Sequence, residues 1–200
     1  MINIAVFCSG FGSNLQAIIR AVKKEKIKAS LSLVLSDNKQ AYALKRAKKA
    51  GIKTATIDPA LFKTLEDFDT EALKYLEQEK IDLIVLAGFM RIISPVLINQ
   101  YKNRILNIHP ALLPSFKGTQ AIKDAFDYGV KITGVTVHFV DERMDHGPII
   151  LQAPVKIDDN DTLGSLEKKI HKIEHKLYPE AIRLFVEGKL KVEGRGVKIV

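Results

Sequence analysis

Ile2 to Cys8 is a mostly apolar run that stops at Ser9-Gly10-Phe11-Gly12-Ser13, and beyond it Leu15, Ile18, Ile19 and Val22 recur at helical spacing. Strand, glycine turn and helix therefore open the chain, and the rhythm repeats. Leu31 to Leu35 reads as a second strand, Tyr42 to Ala50 as a helix that Gly51 caps, and Thr54 to Ile57 as a third strand. Thr64 with Asp67 resembles a capping box that opens a helix through Glu79, and Ile81 to Ala87 supplies a strand apolar enough to be buried on both faces. Ser94-Pro95 starts a further helix, since proline is tolerated in a first turn. Strands alternating with helices predict an α/β fold, an open, mostly parallel twisted sheet with helices on both faces.

The second half follows the same logic. Ile105 to Ile108 forms a short buried strand that ends at His109, because Pro110 has no N–H to give a sheet ladder. A helix from Gln120 to Tyr128 is closed by Gly129, two strands cover Lys131 to Val140 and Pro148 to Ile157, and a helix begins near Thr162. Pro179 is expected to kink or break that last helix, and the tail alternates around Gly194-Arg195-Gly196 like a small hairpin.

Two hundred residues with 46% hydrophobic content predict one domain over residues 1–200. The net charge of +8 favours anionic partners such as phosphates, polycarboxylates or nucleic acid. Its lysines are spread along helix faces without a basic, aromatic-interleaved stripe, so no nucleic-acid partner is expected. A single cysteine, Cys8, in an apolar strand excludes a disulfide framework, and Met1 to Cys8 lacks the basic flank and cleavage site of a signal peptide. A soluble, cytoplasmic chain without a membrane partner is the expectation.

Asn107 and His109 project to the same side of their strand, at the carboxyl end where open α/β sheets place ligands. Read alone, such a pair either builds a polar site or ties down a loop. Asp145 lies in the turn-forming segment Asp145-His146-Gly147-Pro148, and its functional reading depends on reaching His109. In Gly134 to Phe139 the period of two puts Gly134, Thr136 and His138 on one face, where Thr136 and His138 are given supporting roles. The Ser9 to Asn14 turn leads into a helix N-terminus, a setting that suits a phosphate as well as a plain tight turn. A dinucleotide fingerprint would need a small residue at Leu15, so no nicotinamide cofactor is expected. His171-Lys172-Ile173-Glu174-His175 matches an inverted zinc-hydrolase motif, but no third ligand follows in a recognisable motif, and the metal expectation is none. His171, Glu174 and Tyr178 otherwise read as a polar stripe beside the core face.

Together, Ser9 to Leu15, Leu86 to Ile92, Asn107 to Pro114, Val137 to Phe139 and Met144 to Pro148 resemble the motifs of the phosphoribosylglycinamide formyltransferases, from Ile2 to about Leu190. The resemblance implies a fold of about seven strands whose N-terminal half binds a phosphoribosyl substrate and whose C-terminal half completes a folate cleft. It implies transfer of the formyl group of 10-formyltetrahydrofolate to the amine of glycinamide ribonucleotide in purine synthesis, with that folate as co-substrate and no metal. Asn107, His109 and Asp145 would be catalytic. Gly12, Ser13 and Asn14 would hold the substrate phosphate and Glu174 the ribose hydroxyls. Met90, Arg91, Ile92, Ile93, Asn107 and Asp141 would line the folate cleft. Two positions depart from the pattern: Leu65 stands where a basic folate contact is usual, with Lys63 as a substitute, and Ala111 replaces the usual serine after His-Pro. Related activities are a 10-formyltetrahydrofolate hydrolase or another formyltransferase of this family, whose extra domains two hundred residues are not expected to hold. Monomer and homodimer are both compatible with the sequence.

Overall fold

The computed structural model describes residues 1–200. Two compact units are present, Met1–Leu106 and Asn107–Val200.

The first unit contains β1 (Ile2–Phe7), α1 (Ser13–Lys23), β2 (Ala29–Ser36), α2 (Tyr42–Lys49), β3 (Lys53–Thr56), α3 (Leu65–Gln78), β4 (Leu83–Leu86) and α4 (Pro95–Gln100). Its strands pair in the order β3-β2-β1-β4, all parallel. Ile4, Ala5, Val6 and Phe7 of β1 are wholly buried, as are Leu83, Ile84 and Val85 of β4, the consequence of helices covering both faces of a parallel sheet. Leu15, Ile18 and Ile19 bury the inner face of α1. Thr64 caps α3 by accepting from the Asp67 N–H at 3.1 Å. Burial among these elements pushes the Cys8 thiol up to about 12, so its sulfur is an inert core atom.

β5 (Ile105–His109) leads into the second unit, which continues with α5 (Ala121–Tyr128), β6 (Ile132–Phe139), β7 (Ile149–Lys156), α6 (Leu163–Val186), β8 (Leu190–Glu193) and β9 (Gly196–Ile199). The order is β5-β6-β7-β9-β8, with β6 and β7 antiparallel, β7 and β9 parallel, and β8 and β9 antiparallel. Nine strands are therefore present where about seven were expected. The additional two are the arms of the tail hairpin, which joins the sheet by pairing Gly196 with Ile149.

Pro179 neither ends nor divides α6, so of the kink or break expected there the break does not occur. A proline costs a helix interior about 3 kcal/mol through its missing N–H and its clash with the preceding turn. Tyr178, Ala181, Ile182 and Leu184 are buried around it, and each large apolar side chain returns roughly 1.5–3 kcal/mol, enough to carry the helix through. Pro179→Ala should then raise stability by about 1–2 kcal/mol, the helix gain less the entropy restored to the unfolded chain. Chemical denaturation checks this, and an unchanged or lowered midpoint would contradict it.

Candidate active site

In the second unit one carboxylate gathers the polar residues. Asp145 Oδ2 lies 3.4 Å from His109 Nδ1 and accepts the Gly118 N–H at 2.8 Å, while Oδ1 is 3.8 Å from His138 Nε2. The side chains of His109 and Asp145 are only 4% and 8% exposed, so neither is a solvated surface group. The His109 Nε2–H donates to the Phe116 carbonyl at 2.7 Å. A ring carrying a proton on both nitrogens therefore meets an acceptor on each side.

His138 is different in kind. Its Nδ1–H donates to the Phe139 carbonyl at 2.7 Å, which leaves Nε2 as the acceptor for the Asn107 amide, 3.2 Å away. Burial lowers its pKa from the usual histidine value, outweighing the hydrogen bond to Phe139 and the charge of Asp145, which act the other way. A neutral ring thus fixes which way the Asn107 amide points. One N–H of that amide is used on His138 and the second is available to a ligand.

The loop after His109 is docked by the small polar face of β6. The Thr136 hydroxyl donates to the Ala111 carbonyl at 2.7 Å and accepts the Leu113 N–H at 3.1 Å, and Gln152 Nε2 donates to both Thr136 Oγ1 and the Leu113 carbonyl at 3.0 Å. Gly134 leaves space for the loop: a Cβ there would stand 2.4 Å from the Ala153 oxygen and 2.6 Å from the Leu112 side chain. On the other side, a Cβ on Gly147 would fall 1.8 Å from the Phe139 oxygen, so the segment carrying Asp145 returns against the end of β6 only because that residue is glycine. Phe116 and Asp145 both occupy the left-handed region, φ 51° and 50°, a strained backbone sustained by these surrounding contacts. Asp141 accepts from the Arg143 N–H at 3.1 Å and from the His146 ring at 2.7 Å, which closes the same loop on itself.

The first unit holds the glycine turn. Gln16 N–H makes the first bond of α1, to the Gly12 carbonyl at 3.0 Å, so the amides ahead of it lie outside the helical ladder at the positive end of the helix. Ser13 and Asn14 open that helix. Gly12 has φ 73°, and a Cβ on it would meet the Ala43 Cβ at 2.7 Å. The glycine is thus required by the approach of α2 as well as by any anion. Arg46 of α2 donates through Nε to the Phe11 carbonyl at 2.9 Å. The Met90 N–H donates to Ser9 Oγ at 2.9 Å, joining the Met90 to Ile93 segment to the same turn. Met90 and Ile92 are exposed, Ile93 is buried, and the Arg91 guanidinium sits 4.5 Å over the Phe68 ring. Lys63 is exposed near Leu65, the first residue of α3.

α6 does not carry the polar stripe anticipated for it. Glu174 and Tyr178 are buried, and only His171 of the three is substantially exposed. The His171 Nδ1–H donates to Glu174 at 2.9 Å, and that bond raises the imidazole pKa. The Glu174 carboxylate is thereby engaged in orienting a histidine, and no group of three or more His, Cys, Asp or Glu side chains is gathered to hold a metal ion.

A family model described as formyl transferase matches residues 2–182. The chain belongs to the formyl transferase family. It is 44% identical to a phosphoribosylglycinamide formyltransferase of Bacillus subtilis over 92% of this chain and 94% of the relative. It is 41% identical to the human trifunctional purine biosynthetic protein adenosine-3 over 96% of this chain, which spans 19% of that longer protein. A crystal structure of glycinamide ribonucleotide transformylase 1 from Symbiobacterium toebii superposes with a TM-score of 0.98, at 46% identity, covering all of this chain and 94% of the other. The α/β fold with a mostly parallel sheet is therefore that of the family. Formyl transferases of this kind use a folate-derived formyl donor. No helix is long and apolar enough to cross a membrane.

The residues that sequence reasoning missed act through backbone. The Phe116 carbonyl, the Gly118 N–H and the clearance at Gly147 carry no side-chain signature. Gln152, by contrast, alternates onto the Thr136 face and is readable from the period of its strand. The displaced His138 titration has a measurable consequence. A histidine with a native pKa below its unfolded value near 6.5 contributes stability that is complete above that pH and is lost as pH falls toward the native value. Urea unfolding between pH 8 and 5 should show the wild type losing more stability on acidification than His138→Asn. Equal slopes would show that His138 is not held neutral.

Proposed function

We propose that this chain transfers the formyl group of 10-formyltetrahydrofolate to the amine of N1-(5-phospho-D-ribosyl)glycinamide, as the names of its relatives indicate for those proteins. The observation that carries the reading is the buried contact of Asp145 with His109, set beside the Asn107 amide at a strand end. The substrate amine attacks the formyl carbon, a C–N bond forms, and the carbonyl π electrons move to oxygen. Asn107, through its second N–H, and the protonated His109 ring stabilise that oxyanion. Collapse expels the folate N10, which takes up a proton as the former amine gives one away, a transfer assigned to His109. To reach the substrate, the His109 Nε2–H exchanges its Phe116 carbonyl bond for one to the reacting centre, and Asp145 keeps the ring oriented as it does so.

Gly12, Ser13 and Asn14 are assigned to the substrate phosphate, because the amides of a helix first turn suit an anion. Glu174 is assigned to the ribose hydroxyls. Met90, Arg91, Ile92, Ile93 and Asp141 are assigned to the folate, with Lys63 taking the acidic tail that Leu65 cannot. Thr136 and His138 support the catalytic loop. The transfer is assigned to these side chains without a metal, and the zinc-hydrolase reading of α6 is not favoured, since Glu174, which that motif needs as a free base, is buried and bonded to His171.

His109→Ala should lower kcat by roughly 10²–10⁴ fold with little change in affinity for either substrate, because its work is on charge that appears only in the transition state. Steady-state kinetics with both substrates check this, and a near-normal kcat would overturn the mechanism.

A further inference from the structure

The hairpin formed by β8 and β9 reaches the loop that carries Asp145, and it does so through one side chain. Arg195, at the turn, donates through Nη2 to the His146 carbonyl at 2.8 Å and through Nη1 to His146 Nε2 at 2.9 Å. Nη1 also lies 3.2 Å from His146 Nδ1, but Nδ1 is closer to Asp141 Oδ2, at 2.7 Å, and a carboxylate only accepts, so the ring donates there and Nε2 accepts from Arg195. The planar fork of arginine thus grips the ring and the backbone of one residue, and that residue grips the far end of its own loop.

Asp145 stands immediately before His146, in a left-handed conformation. A carboxyl group on a strained turn residue keeps its direction only while its neighbours are fixed. On one side Gly147 is wedged against the Phe139 oxygen, and Gly196 pairs with Ile149 just beyond it. Arg195 supplies the contact that fixes the carbonyl of the peptide between His146 and Gly147, one residue beyond Asp145.

We propose that Arg195 is a positioning residue for formyl transfer, holding the 141–147 loop so that Asp145 meets His109. This rests on the active-site reading of Asp145 given above. Arg195 touches no reacting group, and its effect on kcat is transmitted through the Asp145 carboxylate.

A double-mutant cycle measured on the full chain separates this from a general structural effect. Arg195→Ala should lower kcat about 5–20 fold, the scale expected when a catalytic group is misplaced by a fraction of an ångström, and leave KM for the amine substrate unchanged. In an Asp145→Ala background the same change should cost nothing further. Multiplying effects would show that Arg195 acts elsewhere, and a normal kcat for Arg195→Ala would show that it positions nothing; either overturns the proposal. A normal kcat for Asp145→Ala instead overturns the catalytic reading itself, and is recognised by that variant alone. Should Arg195→Ala fail to fold, Arg195→Lys keeps the charge without the fork, and the same cycle should then begin from a loss of about 2–5 fold.

Discussion

A carboxylate that is nearly out of reach of solvent must be met by donors or positive charge, and Asp145 is met from two stretches of chain. His109 arrives on β5 and the Gly118 N–H from the loop that follows it, while the neutral His138 stands 3.8 Å away at the end of β6 without donating to the acid. Removing either donor would leave the buried carboxylate short of a partner. The pairing therefore specifies where the strand ends and the two loops must lie, and much of the second unit is arranged to permit it.

The permitting features are small and mostly without function of their own. Gly134 lets the loop after His109 lie flat on β6, Thr136 fastens it with two hydrogen bonds, and Gly147 lets the returning segment pass the end of the same strand. His138 is held neutral by burial and so serves as an acceptor, which directs the Asn107 amide. Two histidines close to one acid thus take different roles because one donates to a carbonyl through Nε2 and the other through Nδ1.

Much of this was legible in the sequence. The βα rhythm, the polar pair at the end of β5 and the alternating face of β6 are all consequences of side-chain period, which a sequence displays directly. The family motifs located Asp145 as well, although nothing in the spacing between residues 109 and 145 could show that they meet. Other features were illegible for definite reasons. The Phe116 carbonyl and Gly118 amide are backbone groups, available from almost any residue. Pro179 reads as a helix breaker because the local rule knows nothing of the packing of Tyr178 and Ile182 around it. Gly12 reads as a phosphate residue, and it is also a packing residue against Ala43. The tail hairpin was visible as a hairpin, but its attachment to β7 and the reach of Arg195 to His146 depend on tertiary structure.

In the proposed reaction the amine, and not water, accepts the formyl group: Asn107 and His109 are assigned to one oxyanion, and the turn before α1, assigned to a phosphate, suits a phosphorylated acceptor. Release of tetrahydrofolate from 10-formyltetrahydrofolate, followed with and without glycinamide ribonucleotide, tests this most directly. The prediction is turnover that depends on the ribonucleotide and yields one equivalent of its N-formyl product per tetrahydrofolate. Equal turnover in its absence, with formate as the product, would contradict the account and make the chain a hydrolase.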